Sequence, residues 1–274
     1  MQDDQFTILQ ELLAAQERGA AVALATVVRA RGSVPRHAGA KMLVYEDGHF
    51  SGTVGGGEME ARVLAAAQEA LASGETRLVP YSLVDPQRGD PGVCGGEVEI
   101  YVEPYLPPAT VYVIGAGHVG KAVASLAHWL GYRVIVADDR EELASPEHVP
   151  EADHYLPGPI QAALEQQPIN RSTFVVLLTR NVLIDRQILP AILESPAPYI
   201  GVIGSRRRWE HTKELLREDG VDEALFARVQ SPVGLELGAE TPEEIAVSIM
   251  AQIIQQQRGG DGQPMSNPTP ESRH

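Results

Sequence analysis

An unbroken apolar stretch, Val111 to Ile114, runs directly into Gly115-Ala116-Gly117-His118-Val119-Gly120. Glycines at this spacing after a strand favour one architecture. The first permits a tight turn, the second lets a pyrophosphate approach the backbone, and the third allows the following helix to pack on the strand. Asp138 ends the next apolar run, 18 residues after Gly120, where a carboxylate can accept hydrogen bonds from a ribose 2′-hydroxyl. Asp138 and Asp139 repel a 2′-phosphate, so a plain ribose is preferred, with Arg140 a partial counterweight. Without a ligand, the same glycines serve strand–helix packing alone, because a fold does not dictate a function.

The pattern downstream fits that start. Strands at Val111–Ile114, Arg133–Ala137, Phe174–Leu178 and Tyr199–Ile203 alternate with helices at His118–Leu130, near Ile184–Leu193 and at Trp209–Arg217. Such alternation implies crossover units on a parallel sheet. Thr241-Pro242-Glu243-Glu244 supplies an N-cap, a proline at the first helical position and a capping-box glutamate ahead of a core stripe at Ile245, Ile249 and Ile253.

Upstream the pattern differs. Phe6, Leu9, Leu12 and Leu13 recur at helical spacing, and Val22–Val28 reads as a buried strand. Glu46-Asp47-Gly48-His49 is a hairpin turn between strands Lys41–Tyr45 and Phe50–Val54. A helix runs from Glu58 to Ser73, and further strands lie near Thr76–Leu83 and Glu97–Val102. Three prolines within Glu103–Ala109 mark a domain junction, giving an N-terminal α+β domain over residues 1–104 and a Rossmann-like parallel-sheet domain over residues 109–257. Residues 258–274 read as a disordered tail, lacking apolar anchors.

Charge narrows the ligand class. The chain carries 22 Lys and Arg against 37 Asp and Glu, a net −15, and both halves are acidic. A field of that sign disfavours nucleic acid and anionic membranes as partners, so any anionic ligand must be held by local groups. No run reaches the roughly 18 apolar residues of a membrane span, and the acidic start lacks the features of a secretory signal, which makes the cytoplasm the expected location.

Three local groups stand out against that field. Arg36 in Gly32–Arg36 and Lys41, together with Gly55, Gly56 and Gly57 at a helix start, are suited to cradle a phosphate or carboxylate, although turn chemistry also explains the glycines. Ser205, Arg206, Arg207 and Arg208 open another helix, either meeting an anion or pairing with acids such as Glu210 and Glu214. Cys94, the lone cysteine, sits in Gly92-Val93-Cys94-Gly95-Gly96, either as an accessible thiol or as a small hydrophobe. His118 at its helix start is a solvated or capping residue or a ligand contact.

Taken together, Gly32–Met42, Gly52–Glu60, Cys94-Gly95-Gly96, Gly115–Gly120, Tyr199–Arg207, and Ser231–Leu235 with Thr241–Ala246 resemble the XdhC/CoxI family, accessory proteins of molybdenum hydroxylases such as xanthine dehydrogenase. The resemblance runs from Phe6 to about Ile254. It implies a chaperone that binds the molybdenum cofactor, as molybdopterin or its dinucleotide form, supports its sulfuration by a cysteine desulfurase, and delivers it to a molybdenum hydroxylase apoenzyme, with a homodimer compatible with that role. On this reading Arg36, Lys41 and the Gly115–Gly120 turn serve the cofactor's phosphates, and Cys94 contacts molybdenum or receives sulfur. One departure stands at Thr179-Arg180, where the family pattern often has Thr-His; Thr179 and Asp185 remain, and Arg180 adds a cation. The alternatives are an NAD(P)-dependent oxidoreductase and a nucleotide-sensing Rossmann protein, though no His–carboxylate pair suited to hydride chemistry is legible in the second domain.

Overall fold

A computed structural model describes residues 2–82 and 96–265 of the chain. Cys94 and residues 266–274 of the expected tail therefore lie outside the described residues. The chain divides into two compact units, Met1–Pro107 and Pro108–His274.

Unit one follows the order α1 (Gln2–Glu17), β1 (Val22–Arg31), β2 (Lys41–Tyr45), β3 (Phe50–Gly52), α2 (Gly57–Ser73), β4 (Arg77–Ser82) and β5 (Glu97–Tyr105). Its antiparallel sheet has the strand order β3-β2-β1-β5-β4. Side chains alternate across a strand. Ala23, Ala25 and Val27 of β1 accordingly pack with α2 through Met59, Val63 and Ala67. Val22 and Leu24 face the other way, onto Ile8, Leu12 and Ala15 of α1.

Two expectations change here. The buried stripe of α1 is Ile8, Leu12 and Ala15, while Phe6, Leu9 and Leu13 are exposed. Ile8 lies two positions from Phe6, a rotation of about 200° on a helix, so choosing the wrong apolar set inverts the face. Strand β5 also continues past Val102 to Tyr105, with Pro104 opposite Ala23 of β1.

Unit two contains β6 (Thr110–Ile114), α3 (His118–Trp129), β7 (Arg133–Asp138), β8 (His154–Pro157), α4 (Ile160–Gln166), β9 (Thr173–Leu177), α5 (Val182–Glu194), β10 (Tyr199–Val202), α6 (Arg206–Glu218), β11 (Val229–Gln230) and α7 (Pro242–Arg258). The sheet is parallel, in the order β11-β10-β9-β6-β7-β8. Numbered within the unit, this is the doubly wound order 3-2-1-4-5-6, which places a crevice outside the carboxyl ends of β6 and β9 where the winding reverses. Val111, Val113, Val134, Val136 and Val176 pack beneath α3 and α7. Ile114, Ile135, Val175, Leu177 and Ile200 face α4, α5 and α6. The short β8, α4 and β11 add to the elements expected from sequence, and α6 starts three residues earlier than Trp209.

Candidate functional site

In unit two the β6–α3 turn takes the shape its glycines imply. A Cβ on Gly120 would lie 2.0 Å from the Gly115 carbonyl oxygen, so only glycine lets α3 lie against β6. A Cβ on Gly117 would meet nothing within 4 Å, which leaves that face of the turn open. Gly117 caps α3 without a side-chain hydrogen bond, so the first amides of the helix have no side chain covering them from that position.

The neighbouring carboxylate is engaged already. Asp138, about 1% exposed, accepts from the Ala116 amide at 2.7 Å, from the Arg140 amide at 2.9 Å, and from the Arg140 guanidinium at 2.9 Å through two nitrogens. Burial alone would raise the Asp138 carboxyl, but the hydrogen bonds from Arg140 and Ala116 outweigh it and hold the group below the ordinary 3.8. A ribose hydroxyl could share this carboxylate only by displacing one of those donors. Across the mouth of the crevice, Arg180 pairs with Asp139 at 3.0 Å and 3.2 Å. The space left among Gly115, Asp138, Asp139, Arg140 and Arg180 is about 10 Å³, room for about one water.

Behind the crevice lies a buried polar cluster. Asp185 is fully buried, accepts a hydrogen bond from the Thr179 hydroxyl and pairs with Arg208 at 2.7 Å. Arg208 also donates to the Thr179 carbonyl at 3.1 Å. Gly204 makes this possible, since a Cβ there would lie 2.8 Å from Cδ of Arg208. Ser205 caps α6 by accepting from the Arg208 amide, and Arg206 and Arg207 are exposed at its first turn. The pairing with Glu210 and Glu214 considered from sequence is not formed. Lys213 takes Glu210, and His211 approaches Glu214. His118 is exposed and lines a groove between α3 and α7 with Lys121 and Ser125, away from Asp138.

Unit one brings Arg36 and Lys41 together. They line one cavity of about 300 Å³ with Ile8, Glu11, His37 and Thr53. Lys41 donates to the Thr26 hydroxyl at 3.2 Å, which fixes its ammonium at the wall. The adjoining glycine loop holds a charge of its own. Glu60 Oε1 accepts from the Thr53 hydroxyl and from the amides of Val54 at 3.3 Å and Gly56 at 3.0 Å. The expected anion cradle at Gly55–Gly57 is thus already filled in part by a carboxylate of the same chain. Gly55 packs on Pro35, which lines the cavity, while Gly56 and Gly57 face open space.

Sequence reasoning missed Glu60 as the carboxylate held by the glycine loop and Glu11 as a wall of the cavity, because turn geometry and contact between elements are not revealed by spacing. Among the described residues no group of three or more His, Cys, Asp or Glu could hold a metal ion, and no helix is long and apolar enough to cross a membrane.

Comparison with known proteins agrees with this two-part architecture. Residues 15–82 match the XdhC and CoxI family, and residues 111–253 match the XdhC Rossmann domain. The chain is 36% identical over 271 residues to an uncharacterized protein, YqeB, of Escherichia coli K12, covering 97% of this chain and 49% of that protein. It therefore spans about half the length of that relative. It is 25% identical over 281 residues to the molybdenum cofactor insertion chaperone PaoD of the same organism, covering 92% of this chain and 88% of that one. A solved structure titled as a xanthine dehydrogenase from Bacillus halodurans shares the fold, with a TM-score of 0.51, 24% identity, and coverage of 94% of this chain and 97% of that one. An N-terminal α+β unit with a cationic cavity, followed by a doubly wound unit, thus accompanies matches to both parts of one family, and the chain belongs to the XdhC and CoxI family.

Proposed function

We propose that the protein carries the molybdenum cofactor as cargo, presents it for sulfuration by a cysteine desulfurase, and hands it to a molybdenum hydroxylase apoenzyme. The observation that carries this reading is the unit-one cavity, where Arg36 and Lys41 meet in a chain of net charge −15. Two cations lining one recess, Lys41 held by Thr26 and Arg36 at the exposed rim, suit a phosphate ester, which molybdopterin bears and its dinucleotide form bears as a pyrophosphate. The likeness to an insertion chaperone along most of its length supports the same cargo class.

Unit two offers open amides and a cation for a phosphate but no free ribose site for a nicotinamide dinucleotide or any other nucleotide. The α3 start is open at Gly117, and Ser205 and Arg206 stand at the start of α6. By contrast, the ribose position is taken up by Arg140 and the crevice is bridged by Arg180 and Asp139. Arg180, standing where the family pattern often has histidine, is a further cation for a phosphate once it leaves Asp139.

Release of a fluorescent pterin, with molybdenum, on denaturing protein purified from cofactor-producing cells tests the proposal. Comparable molar amounts of pterin and protein are expected, and an Arg36→Gln, Lys41→Gln double variant should retain less than about a tenth as much, since each charge-assisted contact is worth about 1.5–3 kcal/mol. Protein that releases no pterin, and instead quenches nicotinamide fluorescence on titration, would overturn it.

A further inference from the structure

Glu11 is a lone carboxylate in the cationic cavity of unit one. It projects from α1 into a wall shared with Arg36, His37 and Lys41, and its Oε2 is buried with no hydrogen-bond partner. Two cations line the same recess, yet neither reaches Oε2 of Glu11. A buried acceptor without a donor is destabilising, and a ligand donor would satisfy it. The last torsion of a glutamate is broad and soft, so a small turn brings Oε2 round to face the cavity.

A carboxylate so placed offers two parallel acceptors. That geometry matches a planar fork of two adjacent N–H donors, the arrangement by which guanidinium groups are bound. The 2-amino-4-oxopyrimidine ring presents the same fork from its amino group and neighbouring ring nitrogen. Ile8, Pro35 and Ala38 supply apolar wall for the faces of such a ring, and Arg36 and Lys41 receive an anionic tail. Resting on the cargo reading above, we infer that Glu11 selects the ligand by pairing with the 2-amino-4-oxopyrimidine edge of a bicyclic ring whose anionic tail lies on Arg36 and Lys41. Pterins and guanine share that edge. Glu11 is thus a specificity residue, acting on the end of the ligand opposite the phosphate.

Titration of the full chain with 6-hydroxymethylpterin, 6-hydroxymethyllumazine and GMP tests this. The lumazine replaces the 2-amino group with a carbonyl, so an acceptor would face the carboxylate. The wild-type protein is expected to prefer the pterin over the lumazine by about tenfold or more, because a site built for a donor rejects the analogue lacking it. Glu11→Gln keeps the shape of the side chain and should reduce that preference to under about threefold with an unchanged melting curve. Arg36→Gln should leave the preference intact while weakening phosphate-bearing probes. Tighter binding of GMP than of the pterin supports the shared edge and assigns it to a guanine nucleotide. Equal binding of pterin and lumazine, a preference untouched in Glu11→Gln, or no binding of any probe would overturn the inference. The two readings fail separately. Protein that releases pterin on denaturation but shows no dependence on Glu11 sinks only this inference, whereas protein that releases none and still discriminates the probes sinks only the cargo reading.

Discussion

Individual carboxylates shape both sites more than the glycines do. Asp138 closes the ribose position of unit two by binding Arg140 and the Ala116 amide, and Glu60 caps two amides of the glycine loop in unit one. The glycines were visible because their role is a local backbone property. Partner choice was not, since Asp138 had to be seen beside the Ala116 amide, 22 residues away, before its acceptor capacity could be counted. A titration consequence attaches to Asp138. Its carboxyl is held below 3.8 in the fold, so its stabilising contribution is complete above that value and is lost as pH falls through the lower folded-state value. Asp138→Asn should lower stability at pH 7 by about 2 kcal/mol, the usual worth of hydrogen bonds to a charged group. It should also flatten the loss of stability that urea titrations are expected to show as pH falls below about 3.8. A variant whose acid profile parallels the wild type would show that Arg140 contributes nothing there.

Elements with strong end signals were legible, and short or doubly apolar ones were not. The capping box of α7 forms as read, with Thr241 accepting from the Glu244 amide and Glu244 accepting from the Thr241 amide. Thr241→Ala should cost about 1 kcal/mol, measurable as a shift of the chemical-denaturation midpoint without a change in slope. Strand β8 and helix α4 have four and seven residues and lie around Pro157-Gly158-Pro159, too short for periodicity to register. Helix α1 misled because it carries apolar residues on two faces, and only contact with β1 and β2 shows that Ile8 and Leu12 are the inner pair. Close packing of α3 on β6 gives the sharpest element-level expectation. Gly120→Ala forces a carbon to within 2.0 Å of the Gly115 carbonyl, so the turn or the helix must move. A loss of about 3 kcal/mol or more is expected in thermal unfolding, with weakened binding of any nucleotide-bearing cargo. Unchanged stability would mean that the helix shifts freely on the strand.

Across the whole chain, the net charge of −15 opposes the approach of an anionic cargo that its own recess is suited to hold. Long-range repulsion and short-range attraction respond differently to salt, because the Debye length shrinks from about 30 Å at 0.01 M to about 8 Å at 0.15 M. Association of a pterin phosphate, followed by stopped-flow fluorescence, should therefore speed up as salt rises over that range, the reverse of the usual electrostatic steering. Slower association with salt would show that Arg36 and Lys41 govern the encounter as well as the hold. The α+β and doubly wound arrangements were legible from the change of pattern at Pro104–Pro108, since runs of turn-linked strands and strand–helix alternation lead to different layers. In each unit helices cover both faces of the sheet, and the residues proposed to meet cargo, Glu11 on α1, Arg36 in a loop and Arg206 at the start of α6, lie outside the buried apolar layers. Substitutions at Glu11, Arg36 or Arg206 can therefore accumulate without disturbing the packed layers. If the proposed cargo role holds, a lineage built this way can exchange one client cofactor for another while its scaffold stays the same, and differences between relatives in what they carry should be sought at those positions.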